Sequence, residues 1–147
     1  MAKASAREGG YREPRQQYSA LPWRRASDGT LEVLLITSRE TRRWVIPKGW
    51  PMKGKAPGES AALEAFEEAG VIGQMSEAQL GVYHYDKRLK SGRLQRVRVA
   101  VFALEVQSEA ETYHELGQRE RQWMVPAEAA DLVVEPELAA LLSAFLP

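Results

Sequence analysis

The sequence predicts one domain of the α/β (α+β) class, in which several strands form a sheet and helices pack against it. A length of 147 residues suits about one domain, and an apolar fraction of 44% is enough for a packed core. Apolar runs typical of strands are interrupted by one helical segment and followed by another. The chain has no cysteine, which excludes thiolate catalysis, disulfides and cysteine-bound zinc.

The N-terminal part predicts an arm and a hairpin. Residues 1–17 are polar and contain Gly and Pro, so we expect a flexible arm before a single domain at 18–147. Ser27-Asp28-Gly29 is a turn signal between the apolar residues 18–23 and the run 31–37. Two strands joined by such a turn form an antiparallel hairpin.

The next segment predicts a short strand, a loop and a helix. The strand covers residues 44–46 and ends at Pro47, and the loop that follows is too rich in Gly and Pro to continue it. Pro57 suits a first helical turn and Gly70 a helix end, so the helix is expected over 57–69.

The C-terminal half predicts a second hairpin, one more strand and closing helices. The β-rich runs 80–85 and 94–106 are joined by a basic connection that contains Gly. Residues 122–125 read as a short strand. Segment 127–132 and the apolar spacing over 138–145 favour helices.

Charges are separated along the chain although the formal net charge is zero. Residues 1–55 carry 12 basic and 5 acidic side chains, 56–86 carry 6 acidic and no basic ones, 87–98 carry 6 basic and no acidic ones, and 99–147 carry 2 basic and 9 acidic ones. Such blocks suit an anionic ligand that is held through a divalent cation, because a positive wall can lie beside a negative one. Chance clustering on solvated faces is the alternative.

Three glutamates share one face of the predicted helix. A rotation of about 100° per residue places Glu64, Glu67 and Glu68 within an arc of roughly 100°. An ordinary solvated face would explain them, but no Lys or Arg occurs from residue 56 to 86 to compensate their charge. Hard divalent cations such as Mg²⁺ prefer carboxylate oxygens, and the backbone carbonyl of Lys48 is a further candidate ligand.

The segment 49–71 resembles the box of the Nudix hydrolases. That pattern is Gly, five residues, Glu, seven residues, Arg-Glu, an aliphatic residue, any residue, Glu-Glu, any residue, Gly and an aliphatic residue. The matching residues are Gly49, Glu64, Ala65, Glu67, Glu68, Gly70 and Val71. Two positions depart from it, because Lys55 replaces the first Glu and Leu63 replaces the Arg that is thought to orient the box glutamates.

The resemblance implies a fold and a reaction. The fold is the family's α/β/α sandwich with a mixed sheet over residues 18–146. The reaction is Mg²⁺-dependent hydrolysis of a phosphoanhydride, with Mn²⁺ as the alternative ion. Glu64 and Glu68 are implied as metal ligands, and Glu67 as a further ligand or the base that activates water. Flanking segments are similar to the diphosphoinositol polyphosphate and diadenosine polyphosphate phosphohydrolases.

Basic residues near the box are the candidate substrate clamps, since guanidinium groups bind phosphate oxygens in pairs. Trp50 either packs at the rim or stacks on a base. The basic hairpin at 87–98 is either a polyanion cradle or a charged edge that resists pairing. The predicted substrate-binding residues are Arg39, Arg42, Arg43, Lys48, Lys53, Lys55, Arg88 and Trp50.

Three functions compete at this point. The first is a pyrophosphohydrolase for a small phosphoanhydride substrate, and the second is a catalytically weakened protein that binds a nucleotide or another polyanion, as Lys55 and Leu63 would allow. A nucleic-acid partner is disfavoured by the pI of about 6.8. Because no apolar run is long enough for a membrane span, we expect no membrane partner and a cytoplasmic location, as a monomer or homodimer.

Overall fold

The computed structural model describes residues 13–147. In that range, four strands precede the first helix, four more follow it, and two helices come last. The strands are β1 (Arg15–Arg25), β2 (Leu31–Thr37), β3 (Trp44–Val45), β4 (Lys48–Gly49), β5 (Val71–Met75), β6 (Gly81–Arg88), β7 (Leu94–Glu109) and β8 (Arg121–Met124). The helices are α1 (Pro57–Ala69), α2 (Pro126–Leu132) and α3 (Pro136–Ser143). Both predicted hairpins and the predicted limits of α1 are confirmed.

All eight strands belong to one mixed sheet. β1 pairs antiparallel with β2 and parallel with β7, with Arg15 opposite Val97 at its start. The long strand β7 also takes β5 and β6 as antiparallel partners, while β2 takes β3 and β8. β4 pairs with β1, which brings the segment after Pro47 onto the sheet.

Apolar side chains cover both faces of the sheet. One face packs on α1, whose buried alanines let the helix approach the strands closely. The other face packs on α2 and α3 through residues such as Leu138 and Leu142, together with the valines of β7. The sheet therefore lies between two helical layers, which confirms the α/β/α sandwich.

Local chemistry fixes both ends of α1. The Glu59 carboxylate accepts a hydrogen bond from the Ala56 N–H at 2.8 Å, which stabilises the first turn. Gly70 ends the helix in a left-handed conformation with φ of 71° and donates its N–H to the Phe66 carbonyl. These two ends determine where α1 lies, and Glu64 on this helix reaches Gly49 of β4.

The structure differs from the sequence predictions at three places. The arm was expected to end at residue 17, but β1 begins at Arg15 because its backbone pairs with β7, and residues 1–12 lie outside the described range. The segment after Pro47, expected as loop, begins with the two-residue strand β4. Strand β5 was not predicted. No helix within residues 13–147 has both the length and the apolarity of a membrane span.

Candidate active site

A cavity of about 530 Å³ opens at the end of the sheet where β4 meets β1. Its walls come from β1, β4, β6 and α1, from the loop after β2, from the loop between β7 and β8, and from the start of α3. Its lining contains equal numbers of acidic and basic side chains. The acidic ones are Glu40, Glu64, Glu68, Asp86, Glu115 and Glu135, and the basic ones are Arg39, Arg43, Lys48, Lys87, Arg88 and Arg119.

Glu64 and Glu68 form a hydrogen-bonded carboxyl pair at one end of this cavity. Glu68 is buried, with 7% of its surface exposed, and the Lys48 backbone N–H donates to its Oε1 at 3.3 Å. Burial, followed by the hydrogen bond to Glu64, raises the pKa of Glu68 to about 8. Burial also raises the pKa of Glu64. Both carboxyl groups therefore resist ionisation more than an exposed glutamate does.

Gly49 makes room for the Glu64 carboxylate. A Cβ atom at this position would lie 2.0 Å from Glu64 Oε2, which no real side chain permits. The glycine of the box pattern thus has a steric reason in this chain, because the Glu64 carboxylate occupies the space that a Cβ atom at position 49 would need. Glu64 lies directly against the backbone of β4.

Arg119 compensates the buried acids from the loop between β7 and β8. Its Nε donates to Glu115 Oε1 at 2.7 Å, its Nη1 donates to the Thr37 carbonyl at 3.0 Å, and its Nη2 lies 3.9 Å from Glu68 Oε1. The Glu115 backbone N–H donates to the Glu67 carbonyl at the end of α1. The box position that usually carries Arg is Leu63, so in this chain the guanidinium beside Glu68 comes from another loop.

The chemistry of this donor set fits a divalent cation. Two neighbouring carboxylates offer the hard oxygen ligands that Mg²⁺ and Mn²⁺ prefer. Within residues 13–147, no three acidic or histidine side chains lie together as a ready-made metal cluster. Glu67 does not line the cavity, although its charge helps to raise the pKa of Glu64. Metal binding by Glu67 and by the Lys48 carbonyl stays a prediction.

The sheet end of the cavity is the part lined by Gln17, Tyr85 and Glu135, and it adjoins the acidic pair, because Glu68 and Glu135 both act on Lys48 and on Tyr85. Here the Tyr85 hydroxyl donates to Gln17 Oε1 at 2.8 Å, and the Lys48 ammonium lies 5.0 Å from the centre of the Tyr85 ring. Burial raises the pKa of Tyr85 to about 12 and lowers the pKa of Lys48, against the attraction of Glu68 and Glu135. One side of Trp50 carries the Arg15 guanidinium, 4.2 Å from the ring centre.

Glu135 is the acidic residue of this second end. It immediately precedes α3 and is 8% exposed. Its Oε1 atom is buried and has no hydrogen-bond partner among residues 13–147. The carboxylate therefore differs from those of Glu68 and Glu115, which both accept hydrogen bonds from protein groups.

The structure brings together only part of the predicted substrate-binding set. Arg39, Arg43, Lys48, Trp50 and Arg88 line the cavity. Arg42, Lys53 and Lys55 do not: Arg42 instead donates to the Gln118 carbonyl at 3.1 Å, while the two lysines are exposed on the loop before α1.

Sequence reasoning missed a large part of the cavity lining, including five residues whose contacts are described above. Gln17 and Tyr85 occupy alternating positions of strands, where a polar inward residue looks like any other. Glu115, Arg119 and Glu135 belong to loops whose course follows from tertiary contacts. The likeness of the flanking segments to the family does not indicate an arginine beside Glu68.

Comparison with known proteins identifies the family. The family model described as the NUDIX domain matches residues 16–145. The chain therefore belongs to the Nudix family.

The relatives share its sequence over part of their length. "Nudix hydrolase 12, mitochondrial" of Arabidopsis thaliana is 36% identical over 121 residues, which are 79% of this chain and 59% of the relative. "Diphosphoinositol polyphosphate phosphohydrolase 3-beta" of Homo sapiens is 34% identical over 96 residues, which are 63% of this chain and 54% of that protein. The chain thus spans less than two thirds of the length of either relative.

A solved structure shows the same fold. The C. elegans Ap4A hydrolase superposes with a TM-score of 0.63 over 89% of this chain and 95% of that one, at 20% sequence identity. This likeness concerns the fold alone and confirms the Nudix arrangement of the sheet and helices.

Proposed function

We propose that the protein is a Mg²⁺-dependent pyrophosphohydrolase that cleaves a phosphoanhydride bond in a dinucleoside polyphosphate or a diphosphoinositol polyphosphate, with Mn²⁺ as the alternative ion. One observation carries this proposal: the carboxyl groups of the half-buried Glu64 and the buried Glu68 line one cavity together with Arg39, Arg43 and Arg88. Negative oxygens of a phosphate chain and the cation that accompanies them fit such a pair.

Each wall of the cavity has a part in this reaction. Arg39, Arg43 and Arg88 bind and orient the phosphate oxygens, since guanidinium groups donate two parallel hydrogen bonds to them. A divalent cation on the box carboxylates supplies Lewis-acid stabilisation of the developing phosphate charge. Water attacks one phosphorus, a new P–O bond forms, the anhydride P–O bond breaks, and the leaving phosphate departs with the electron pair. Glu67 is the proposed base for the proton of that water, a role implied by the family resemblance that requires its carboxylate to turn toward the cavity, which it does not line in this structure.

The names of the relatives support this substrate range. One relative is named for diphosphoinositol polyphosphate, and a protein with the same fold is named for Ap4A. Both names describe compounds with phosphoanhydride bonds, which is the bond that the acidic pair and the basic rim suit.

The test is product identification with the full chain, Mg²⁺ and a panel of dinucleoside polyphosphates, diphosphoinositol polyphosphates and nucleotide sugars. Glu68→Gln removes one ligand charge at nearly constant volume, so we expect turnover to fall by about a hundredfold or more. Glu77→Gln, an exposed glutamate outside the cavity, is the matched control. Unchanged turnover in Glu68→Gln would refute the assignment.

Metal binding is measured separately from turnover. Because Mg²⁺ binds the folded protein, it is expected to raise the melting temperature of the wild type and of Glu77→Gln, and to raise that of Glu68→Gln less. Equal shifts in all three proteins would place the ion elsewhere.

A catalytically weakened binding protein is the second candidate, because Lys55 and Leu63 depart from the box pattern. Under this function the panel remains uncleaved while Mg²⁺ and a nucleotide still raise the melting temperature. Cleavage that is lost in Glu68→Gln excludes it.

A further inference from the structure

The unpaired carboxylate of Glu135 indicates what kind of group enters the sheet end of the cavity. A buried carboxylate oxygen without a hydrogen bond costs free energy, and such groups in folded proteins are usually paired. Glu135 Oε1 has no partner among residues 13–147, and its residue is more than nine-tenths buried while lining the cavity. The buried Lys48 ammonium attracts this carboxylate, but no hydrogen bond within residues 13–147 replaces the water that Oε1 has lost.

Helix capping does not explain this side chain. Glu135 occupies the N-cap position of α3, yet its side chain accepts no hydrogen bond from the helix. Glu137, in the first turn of the same helix, is exposed and accepts hydrogen bonds from the backbone N–H of His84 at 2.8 Å and from its ring Nδ1 at 3.1 Å. The exposed Glu137 therefore has hydrogen-bond partners, whereas Oε1 of the buried Glu135 has none within residues 13–147.

The chemistry of an ionised carboxylate limits the ligand. It only accepts hydrogen bonds, so its partner has to carry an O–H or N–H donor. The ribose of a nucleoside has free hydroxyls, and adenine has an amino group. A fully phosphorylated inositol ring presents acceptor oxygens with negative charge, which Glu135 repels.

The surroundings of Glu135 in the cavity include an aromatic ring and cations. Tyr85 is held by its hydrogen bond to Gln17 and lies on the same side of the sheet. The cations Lys87 and Arg88 lie at the end of β6, where phosphates rather than the organic part would meet them. A group that reaches Glu135 therefore meets an acceptor oxygen, with the Tyr85 ring and the Lys48 ammonium in the same part of the cavity.

We infer that Glu135 selects the organic part of the substrate by accepting a hydrogen bond from a nucleoside hydroxyl or amino group, so that dinucleoside polyphosphates are preferred over diphosphoinositol polyphosphates. This inference rests on the proposed phosphoanhydride hydrolysis and narrows its substrate class. Glu135 is a specificity residue here, and it takes no part in bond cleavage.

The test compares kcat/KM of the full chain with Mg²⁺ for a dinucleoside polyphosphate and for diphosphoinositol pentakisphosphate. Glu135→Met keeps the volume but removes the acceptor, so we expect kcat/KM to fall about tenfold or more for the nucleotide, mainly through KM, and to stay equal or rise for the inositol compound. Glu135→Gln keeps one acceptor oxygen and should lose less. Glu137→Gln is the matched control and should leave both values unchanged.

Three results would overturn the inference: equal changes for both substrates in Glu135→Met, no change for the nucleotide, or a wild type that prefers the inositol compound. Stability adds an independent check. Loss of an unpaired buried charge should leave the melting temperature equal or higher, and a clearly lower one would show that Glu135 has an internal partner.

Failure of the proposed function is distinguishable from failure of this inference. If the wild type cleaves neither compound, the hydrolase proposal fails, and calorimetric titration with AMP and with inositol hexakisphosphate decides about Glu135. Tighter binding of AMP that weakens in Glu135→Met supports the inference. Binding of AMP that is unaffected by the substitution contradicts it.

Discussion

The two ends of the cavity differ in how their acids are satisfied. At the α1 end, Glu68 and Glu115 receive hydrogen bonds from the Lys48 amide and from Arg119. At the sheet end, Glu135 has a buried oxygen with no partner in residues 13–147. Groups that are already held by protein contacts suit chemistry that needs fixed positions, whereas an unpaired group suits recognition of a ligand. Under the two proposals above, the α1 end would be the reacting end of the cavity and the sheet end would be the selecting end.

The largest effect on turnover is expected when the Glu64 carboxylate is displaced. In Gly49→Ala the new methyl group would occupy the place of the Glu64 oxygens, so the carboxylate has to shift. We expect turnover to fall about a hundredfold, because a displacement of about 1 Å at a reacting centre has that effect. The free energy of unfolding should change little, since only the end of a flexible side chain moves.

Gly58→Ala is the control for this substitution. Its nearest contact would be Met75 Cγ at an ordinary 3.4 Å, and an alanine within α1 favours the helix. Activity should remain that of the wild type. Equal activity of both alanine variants would mean that Glu64 is not needed in its present position.

Arg119→Met tests the compensation of the reacting end. Both Arg119 and Glu115 have side chains about one-tenth exposed, so loss of the guanidinium leaves buried acids without their cation. We expect the free energy of unfolding in urea to fall by about 3 kcal/mol. Arg96→Met breaks an exposed ion pair with Asp86 and should cost less than about 1 kcal/mol. Similar losses in the two variants would contradict the buried role of Arg119.

Leu63→Arg asks whether Arg119 has replaced the arginine of the box. Because a guanidinium already lies 3.9 Å from Glu68, we expect kcat/KM to change less than about tenfold in the wild-type background. The gain should be larger in Arg119→Met, and a double-mutant cycle measures this coupling. A hundredfold gain in the wild-type background would show that the reacting end is incomplete.

The smallest effect is expected for the pKa of Glu137, which lies outside the cavity. Hydrogen bonds from the His84 ring, and then from its backbone, hold the pKa of Glu137 below its usual value near 4.5. A depressed folded pKa contributes stability above the unfolded pKa that is lost as the pH falls through the folded one. NMR titration between pH 2 and 6 should show the pKa of Glu137 returning toward 4.5 in His84→Ala. An unchanged value would remove the contrast between Glu137 and Glu135.

The sequence predicted those features that depend on local spacing. The limits of α1, the two hairpins and the grouping of Glu64 with Glu68 follow from residues that are near one another in the chain. The separated charge blocks also meet at the cavity, as Arg43, Lys87 and Glu115 show. The family resemblance supplied the sandwich, which periodicity alone did not specify.

Features that depend on distant contacts were not predictable in this way. β1 begins earlier than expected because β7 pairs with it, and Arg119 reaches Glu68 because the loop between β7 and β8 is fixed to the end of α1. Burial of Glu135 depends on where α3 packs, and its sequence context of alternating Glu and Pro suggests an exposed turn.

The parallel pairing of β1 with β7 has a consequence for folding. About eighty residues separate the paired positions Arg15 and Val97, so closing this contact requires a large loss of chain entropy. β1 also carries Gln17, which fixes Tyr85, and supports β4 below the acidic pair. The cavity therefore forms only after the two distant strands have met, and during synthesis this happens only when most of the chain has left the ribosome.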